Sequence, residues 1–210
     1  MDIYLINFNN LSDTDEFSSK IKRNKFHHKM SRVILKSILK SIYNIDADIQ
    51  DSNGKPYIKD NSIYFSISHS EHLLGISFDK SPIGFDIEFM RKRNYKDILK
   101  YIGYKNINNN ISKEDFFKLW TKYEAEYKSG IKNSEISWFK YRNYICSVSS
   151  TQNNLPKIYE IEIPRNNIND KELISLKLVN DSAKNENDVV IQEINIASSD
   201  LLSPPTLNIE

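Results

Sequence analysis

The sequence predicts an α+β protein: two similar α/β halves followed by a β-rich C-terminal extension. Three observations point there. Two long stretches place apolar residues at helical spacing, and the segments around them alternate apolar and polar residues with a period of two. A strand, a helix and a hairpin then occur in that order in residues 2–79 and again in 83–149. The expected divisions are 1–82 and 83–150 for the halves and 151–210 for an extension of unassigned role.

Residues 2–8 read as a first strand. From Lys20 to Tyr43, Phe26, Met30, Val33, Ile34, Ile38 and Ile42 recur at helical spacing with no Gly or Pro between them. Asp51-Ser52-Asn53-Gly54-Lys55-Pro56 is a dense turn signal, since Gly supplies unusual backbone angles and Pro a fixed one. Ile63 to His69 puts Ile63, Phe65 and Ile67 on one face and Tyr64, Ser66 and Ser68 on the other, as a half-buried strand does. Leu74–Asp79 and Ile83–Glu88 read as strands separated by Lys80-Ser81-Pro82. Ser112 is placed to cap a second helix running to about Lys128, with Asp115 at its third position. Trp138–Arg142 and Tyr144–Ser149 suit a hairpin around Asn143. Lys157–Ile163, Leu173–Val179 and Val189–Ile196 read as short strands, and the closing Ser203-Pro204-Pro205-Thr206 as a disordered tail.

Composition excludes several classes. With 29 Lys+Arg against 28 Asp+Glu, a polybasic nucleic-acid binder is not expected. A single cysteine, Cys146, leaves no internal disulfide framework and no cysteine-based zinc site. The N-terminus lacks the basic and long apolar regions of a signal peptide, and no stretch nears the ~20 apolar residues of a membrane span. A soluble cytoplasmic protein is therefore expected, with neither nucleic acid nor membrane as partner.

Four constellations carry chemistry. On the strand Gly84-Phe85-Asp86-Ile87-Glu88, residues two apart point the same way, so Asp86 and Glu88 share the face opposite Ile83, Phe85 and Ile87. Adjacent carboxylates repel unless a cation lies between them, and a hard divalent ion wants such oxygens; an ordinary solvated strand face is the other reading. On the second helix Trp120, Glu124 and Lys128 lie four apart on one face. They make either a surface ion pair or a third oxygen ligand plus a cation for a phosphate. Ser66-Ile67-Ser68-His69-Ser70 ends a strand with a His flanked by hydroxyls, suited to phosphate, to base chemistry or to a structural role. Finally, Lys25, Lys29, Arg32 and Lys36 form a basic stripe on the first helix, either solvated or phosphate-binding.

In order, Gly54-Lys55-Pro56, Phe65-Ser66-Ile67-Ser68-His69-Ser70, Gly84-Phe85-Asp86-Ile87-Glu88 and Trp120-Thr121-Lys122-Tyr123-Glu124-Ala125-Glu126-Tyr127-Lys128 resemble the 4′-phosphopantetheinyl transferase superfamily. The resemblance is to the longer, pseudo-dimeric type that activates surfactin synthetase, and it covers roughly residues 20–150. It implies two α/β halves face to face with coenzyme A in the cleft. It implies an adenine pocket lined by Gly54, Lys55 and Pro56, and a 3′-phosphate held by Ser68 and His69. Lys25, Lys29 and Arg32 would add basic contacts, while Asp86, Glu88 and Glu124 would hold Mg2+, with Mn2+ an option. Lys128 would contact the phosphates, and Glu124, Lys128 and Asp86 would form the catalytic set. The implied reaction moves the phosphopantetheine arm of coenzyme A onto a serine of an acyl or peptidyl carrier protein, releasing 3′,5′-ADP, in a magnesium-dependent holo-[acyl-carrier-protein] synthase type enzyme. The pseudo-dimeric length favours a monomer.

The sequence departs from that pattern at Tyr123, where the family usually has a lysine; Lys122 lies one residue earlier, about 100° round the helix. Residues 89–111 are short and basic where the family often has a further acid. Tyr123 favours the alternative of a non-catalytic relative that binds coenzyme A or carrier protein. A magnesium-dependent hydrolase of a nucleotide pyrophosphate is a third reading.

Overall fold

A computed structural model describes residues 1–12, 14–52, 55–60, 62–104, 111–152, 155–162, 174–178 and 191–194. It is a mixed α/β arrangement. The first strand, β1 (Asp2–Asn7), leads to helix α1 (Lys20–Ser41), and Ser19 caps that helix by accepting a hydrogen bond from the Lys22 N–H at 3.3 Å. A small hairpin, β2 (Ile49–Ser52) and β3 (Lys55–Ile58), stands in place of the expected simple turn. Its strands are too short to show alternation. β4 (Tyr64–Ser70), β5 (Leu73–Asp79) and β6 (Gly84–Phe89) follow. Within the basic stretch 89–111 the structure adds a short helix, α2 (Tyr95–Tyr101), whose one fully buried side chain, Leu99, leaves no apolar stripe to read.

The second long helix is α3 (Lys113–Ser129), capped as expected: Ser112 Oγ accepts from the Asp115 N–H at 3.1 Å. It closes on Gly130 in the left-handed conformation at φ 66°. β7 (Glu135–Tyr141) and β8 (Tyr144–Ser150) form the expected hairpin. β9 (Lys157–Glu162), β10 (Ile174–Leu178) and β11 (Ile191–Ile194) match the three expected C-terminal strands, their outermost expected residues lying outside the described ones, as does the 203–206 tail.

The strands make a six-stranded sheet in the order β11-β10-β9-β1-β5-β4 and a three-stranded sheet in the order β6-β8-β7, besides the β2-β3 ribbon. β9 lies parallel to β1, so strands from 157–194 continue the sheet that begins at the N-terminus. In β1-β5-β4 and in β6-β8-β7, a leading strand pairs antiparallel with the second strand of a hairpin.

Side-chain alternation then stacks the layers. Tyr4 and Ile6 of β1 face α1, meeting Ile34, Leu35, Ile38 and Leu39, while Ile3 and Leu5 face the other sheet. β1 is therefore buried on both faces and reads as an unbroken apolar run. Phe85 and Ile87 of β6 join Cys146 and Val148 of β8 between the sheets. Phe116 and Phe117 of α3 pack with Leu99 and Ile145 on the far side. The order of layers is α1, large sheet, small sheet, α3.

Candidate active site

α3 lies against β6, and the match in spacing explains how. Four helical residues rise about 6 Å and two strand residues advance about 6.7 Å, so a row at 120, 124 and 128 stays beside a row at 88, 86 and 84. Trp120 Nε1 donates to Glu88 Oε1 at 3.2 Å. Lys128 Nζ reaches Asp86 Oδ1 at 2.7 Å and the Phe85 carbonyl at 3.1 Å. Such close approach needs a glycine at 84: a Cβ there would lie 2.0 Å from the Ala125 carbonyl oxygen. The glycine of Gly-x-Asp-x-Glu thus lets the helix carrying Glu124 and Lys128 settle on the strand carrying Asp86 and Glu88.

The carboxylates form one electrostatic unit. Asp86 is 5% exposed, and its Oδ2 is buried without a partner. Burial pushes the Glu88 carboxyl up, opposed by the Arg93 guanidinium at 3.1 Å and reinforced by Asp86. Glu124 is also pushed up, first by burial and then by Asp86, with Lys128 opposing. Two carboxyls that resist ionisation, Glu88 and Glu124, beside the unsatisfied buried oxygen of Asp86, are what a hard divalent cation relieves. The donor set therefore fits Mg2+ or Mn2+ in chemistry. As the side chains stand, no group of three His, Cys, Asp or Glu is gathered closely enough to ligate an ion, among the described residues. Lys128 and Arg93 supply the neighbouring positive charge instead.

On the other side of Lys128 opens a cavity of about 310 Å³ between α1, β3, β4 and the end of α3. His28, Arg32, Lys55, His69 and Lys128 line it, and no acidic residue does. Arg32 Nη2 pairs with Asp51 at 2.6 Å, while its Nη1 is buried without a partner. Lys55 donates to the Lys128 carbonyl, joining the β2-β3 ribbon to α3, and burial together with Lys128 lowers its pKa. Burial lowers the pKa of His69 too, with Lys128, His28 and Arg23 adding repulsion, and an anion in the cavity would favour its charged form. A second cavity of about 390 Å³ adjoins the first across Lys55, Pro56 and Phe65, and is walled by Tyr57, Tyr64 and Ile83.

Among the expected residues, Arg32, Lys55, Pro56, His69 and Lys128 line the first cavity, and Asp86, Glu88 and Glu124 share the patch beside it. Lys25 and Lys29 are exposed and line neither cavity. Gly54 lies outside the described residues. Ser68 faces away from His69: it is buried, and its hydroxyl sits 2.8 Å from Asp86 Oδ1. Tyr123 stacks on Trp120 with centroids 6.1 Å apart, and Lys122 pairs with Glu126 at 3.9 Å.

Sequence reading missed His27. It occupies the buried face of α1, its ring stacks on His69 at 4.7 Å and 9°, and its Nε2–H donates to the Glu71 carbonyl at 2.7 Å. Glu71 in turn holds Arg23 at 2.8 Å and Arg91 at 2.7 Å. The one available signal was a histidine within the helical apolar stripe.

No protein-family model matches the chain. Three curated proteins do. The 4′-phosphopantetheinyl transferase ffp of Bacillus subtilis is 33% identical over 136 residues, covering 52% of this chain and 58% of that protein. A Haemophilus influenzae protein, provisionally named a 4′-phosphopantetheinyl transferase, is 27% identical over 156 residues, 66% of each chain. The 4′-phosphopantetheinyl transferase Sfp of Bacillus subtilis is 31% identical over 136 residues, again 52% and 58%. The chain thus spans under two thirds of the length of these relatives.

Proposed function

The chain is related by sequence to the 4′-phosphopantetheinyl transferases, and from that relationship and the site's geometry we propose that it moves the phosphopantetheine arm of coenzyme A onto a serine of an acyl or peptidyl carrier protein. The observation that carries this reading is the meeting, at Lys128, of a cavity lined by Arg32, Lys55 and two histidines but by no acid, and a patch of three carboxylates. A nucleotide pyrophosphate needs both: cations for its phosphates and acids for the metal it brings.

In this reading coenzyme A lies in the first cavity. Arg32, with its free buried N–H, His28 and His69 meet the 3′-phosphate, and Lys55 and Pro56 flank the adenine. Asp86, Glu88 and Glu124 would hold Mg2+ or Mn2+, which when bound neutralises charge on the pyrophosphate. The carrier serine oxygen bonds to the phosphorus bearing the pantetheine arm, and the bond from that phosphorus to the 3′,5′-ADP oxygen breaks. Lys128, held by Asp86 and the Phe85 carbonyl, presents its ammonium to that departing oxygen. Little covalent work falls to the protein; position and charge do most of it.

The two halves, 1–82 and 83–150, belong to the same proposal. The shared strand order of β1-β5-β4 and β6-β8-β7, each covered by one long helix, supports it. The extension 151–210 is assigned no catalytic part.

The test is substitution of the carboxylates. Asp86→Ala and Glu124→Ala should each abolish transfer to an apo carrier while leaving far-UV circular dichroism unchanged. Full activity in either variant removes that residue from the site.

A further inference from the structure

β6 is the outer strand of the small sheet, so the N–H groups on its free edge need acceptors. They find them in the serines of β4. Ser66 Oγ accepts from the Phe85 N–H at 3.0 Å, Ser68 Oγ from Ile87 at 3.2 Å and Ser70 Oγ from Phe89 at 3.0 Å. Both strands advance together by two residues per contact, so hydroxyls replace the carbonyls of an ordinary ladder along a buried seam.

A serine that accepts a backbone N–H still has its own proton to donate. Ser68 gives it to Asp86 Oδ1 at 2.8 Å, and Ser70 gives it to Glu88 Oε2 at 3.1 Å. Ser66 has no such recipient, because the residue at the corresponding step of β6 is Gly84. The period-two row Ser66, Ser68, Ser70 therefore faces Gly84, Asp86, Glu88 step for step. One oxygen of Asp86 is fixed by Ser68 and Lys128, and Oδ2 remains the buried acceptor still to be satisfied.

We propose that Ser68 and Ser70 are positioning residues, which aim the Asp86 and Glu88 carboxylates at a divalent cation through their hydroxyl protons. This rests on the metal-binding role given above, and it takes Ser68 away from the 3′-phosphate to which the motif resemblance would send it. Partners of this kind typically change metal affinity by roughly 10–100-fold when removed.

The test is Mn2+ binding to the full chain, read from the electron paramagnetic resonance of free Mn2+, with and without coenzyme A. Folding is checked by circular dichroism. Ser68→Ala and Ser70→Ala should each weaken Mn2+ by roughly 10-fold or more, while Ser68→Thr, which keeps the hydroxyl, should retain it. Ser66→Ala loses the same kind of seam contact and has no carboxylate to aim, so its Mn2+ affinity without coenzyme A, whose proposed cavity Ser66 lines, should match the unaltered protein. Equal weakening by Ser66→Ala would reduce the serines to a structural seam and overturn the proposal. So would a Ser68→Ala protein that binds Mn2+ normally but loses coenzyme A selectively over dephospho-coenzyme A. If the unaltered protein binds no Mn2+ under either condition, the metal reading itself fails, a result distinct from both.

Discussion

Replacing Gly84 by alanine tests the packing on which the whole site rests. The added Cβ would lie 2.0 Å from the Ala125 carbonyl oxygen, 2.5 Å from the Ser129 nitrogen and 2.9 Å from the Ser129 Cβ. Two of these are backbone atoms of α3, so no side chain can swing aside. Carbon and oxygen normally keep about 3.3 Å apart, and α3 would have to retreat by roughly 1 Å. Gly84 does not have a positive φ, so the cost is one of space and not of backbone torsion. Overpacking of this kind costs about 1–3 kcal/mol, here near the upper end because the obstacle is a helix backbone. The retreat carries Lys128 away from Asp86, now at 2.7 Å. A misplacement of about 1 Å near the reacting groups lowers turnover roughly 100-fold. Urea unfolding followed by circular dichroism, together with transfer to an apo carrier, measures both. A variant within about 0.5 kcal/mol of the parent and fully active would refute the close approach of α3 to β6.

Two further outcomes follow from the histidines. Burial holds His27 at a pKa of about 4 against an ordinary 6.5, so below pH 6.5 the unfolded chain binds a proton that the folded one refuses. Stability should fall as pH drops from about 6.5 to about 4, by about 3 kcal/mol from this group; urea midpoints across that range should slope in the parent and slope less steeply in His27→Gln, where His69 and His72, also lowered by burial, still contribute. His69→Ala should weaken coenzyme A far more than dephospho-coenzyme A, measured by calorimetry. Equal losses for the two ligands would take His69 away from the 3′-phosphate.

Much of the fold is legible in the sequence, because α1 and α3 carry long apolar stripes and caps at Ser19 and Ser112 that act locally. The β2-β3 ribbon and α2 are not legible, since neither is long enough for a period to emerge. The carboxylate patch can be read from the two-residue step of Asp86 and Glu88 and the four-residue step of Trp120, Glu124 and Lys128. The direction of Ser68 cannot. Alternation puts it opposite His69, but which face meets β6 depends on how two sheets separated in sequence come together. His27 is hidden for a similar reason: on α1 it reads as one more position of the buried face, and only the fold brings it onto His69. The parallel pairing of β9 with β1 joins residues more than half the chain apart, beyond any local pattern.

The central claim is group transfer, and intact-protein mass spectrometry tests it most directly. A panel of apo acyl and peptidyl carrier proteins is incubated with the protein, Mg2+ and coenzyme A, with EDTA in a parallel set. The account predicts that at least one carrier gains the mass of one phosphopantetheine, and that EDTA abolishes the gain. No gain on any carrier, while calorimetry shows coenzyme A bound, would contradict it and leave a coenzyme A-binding relative without transferase activity.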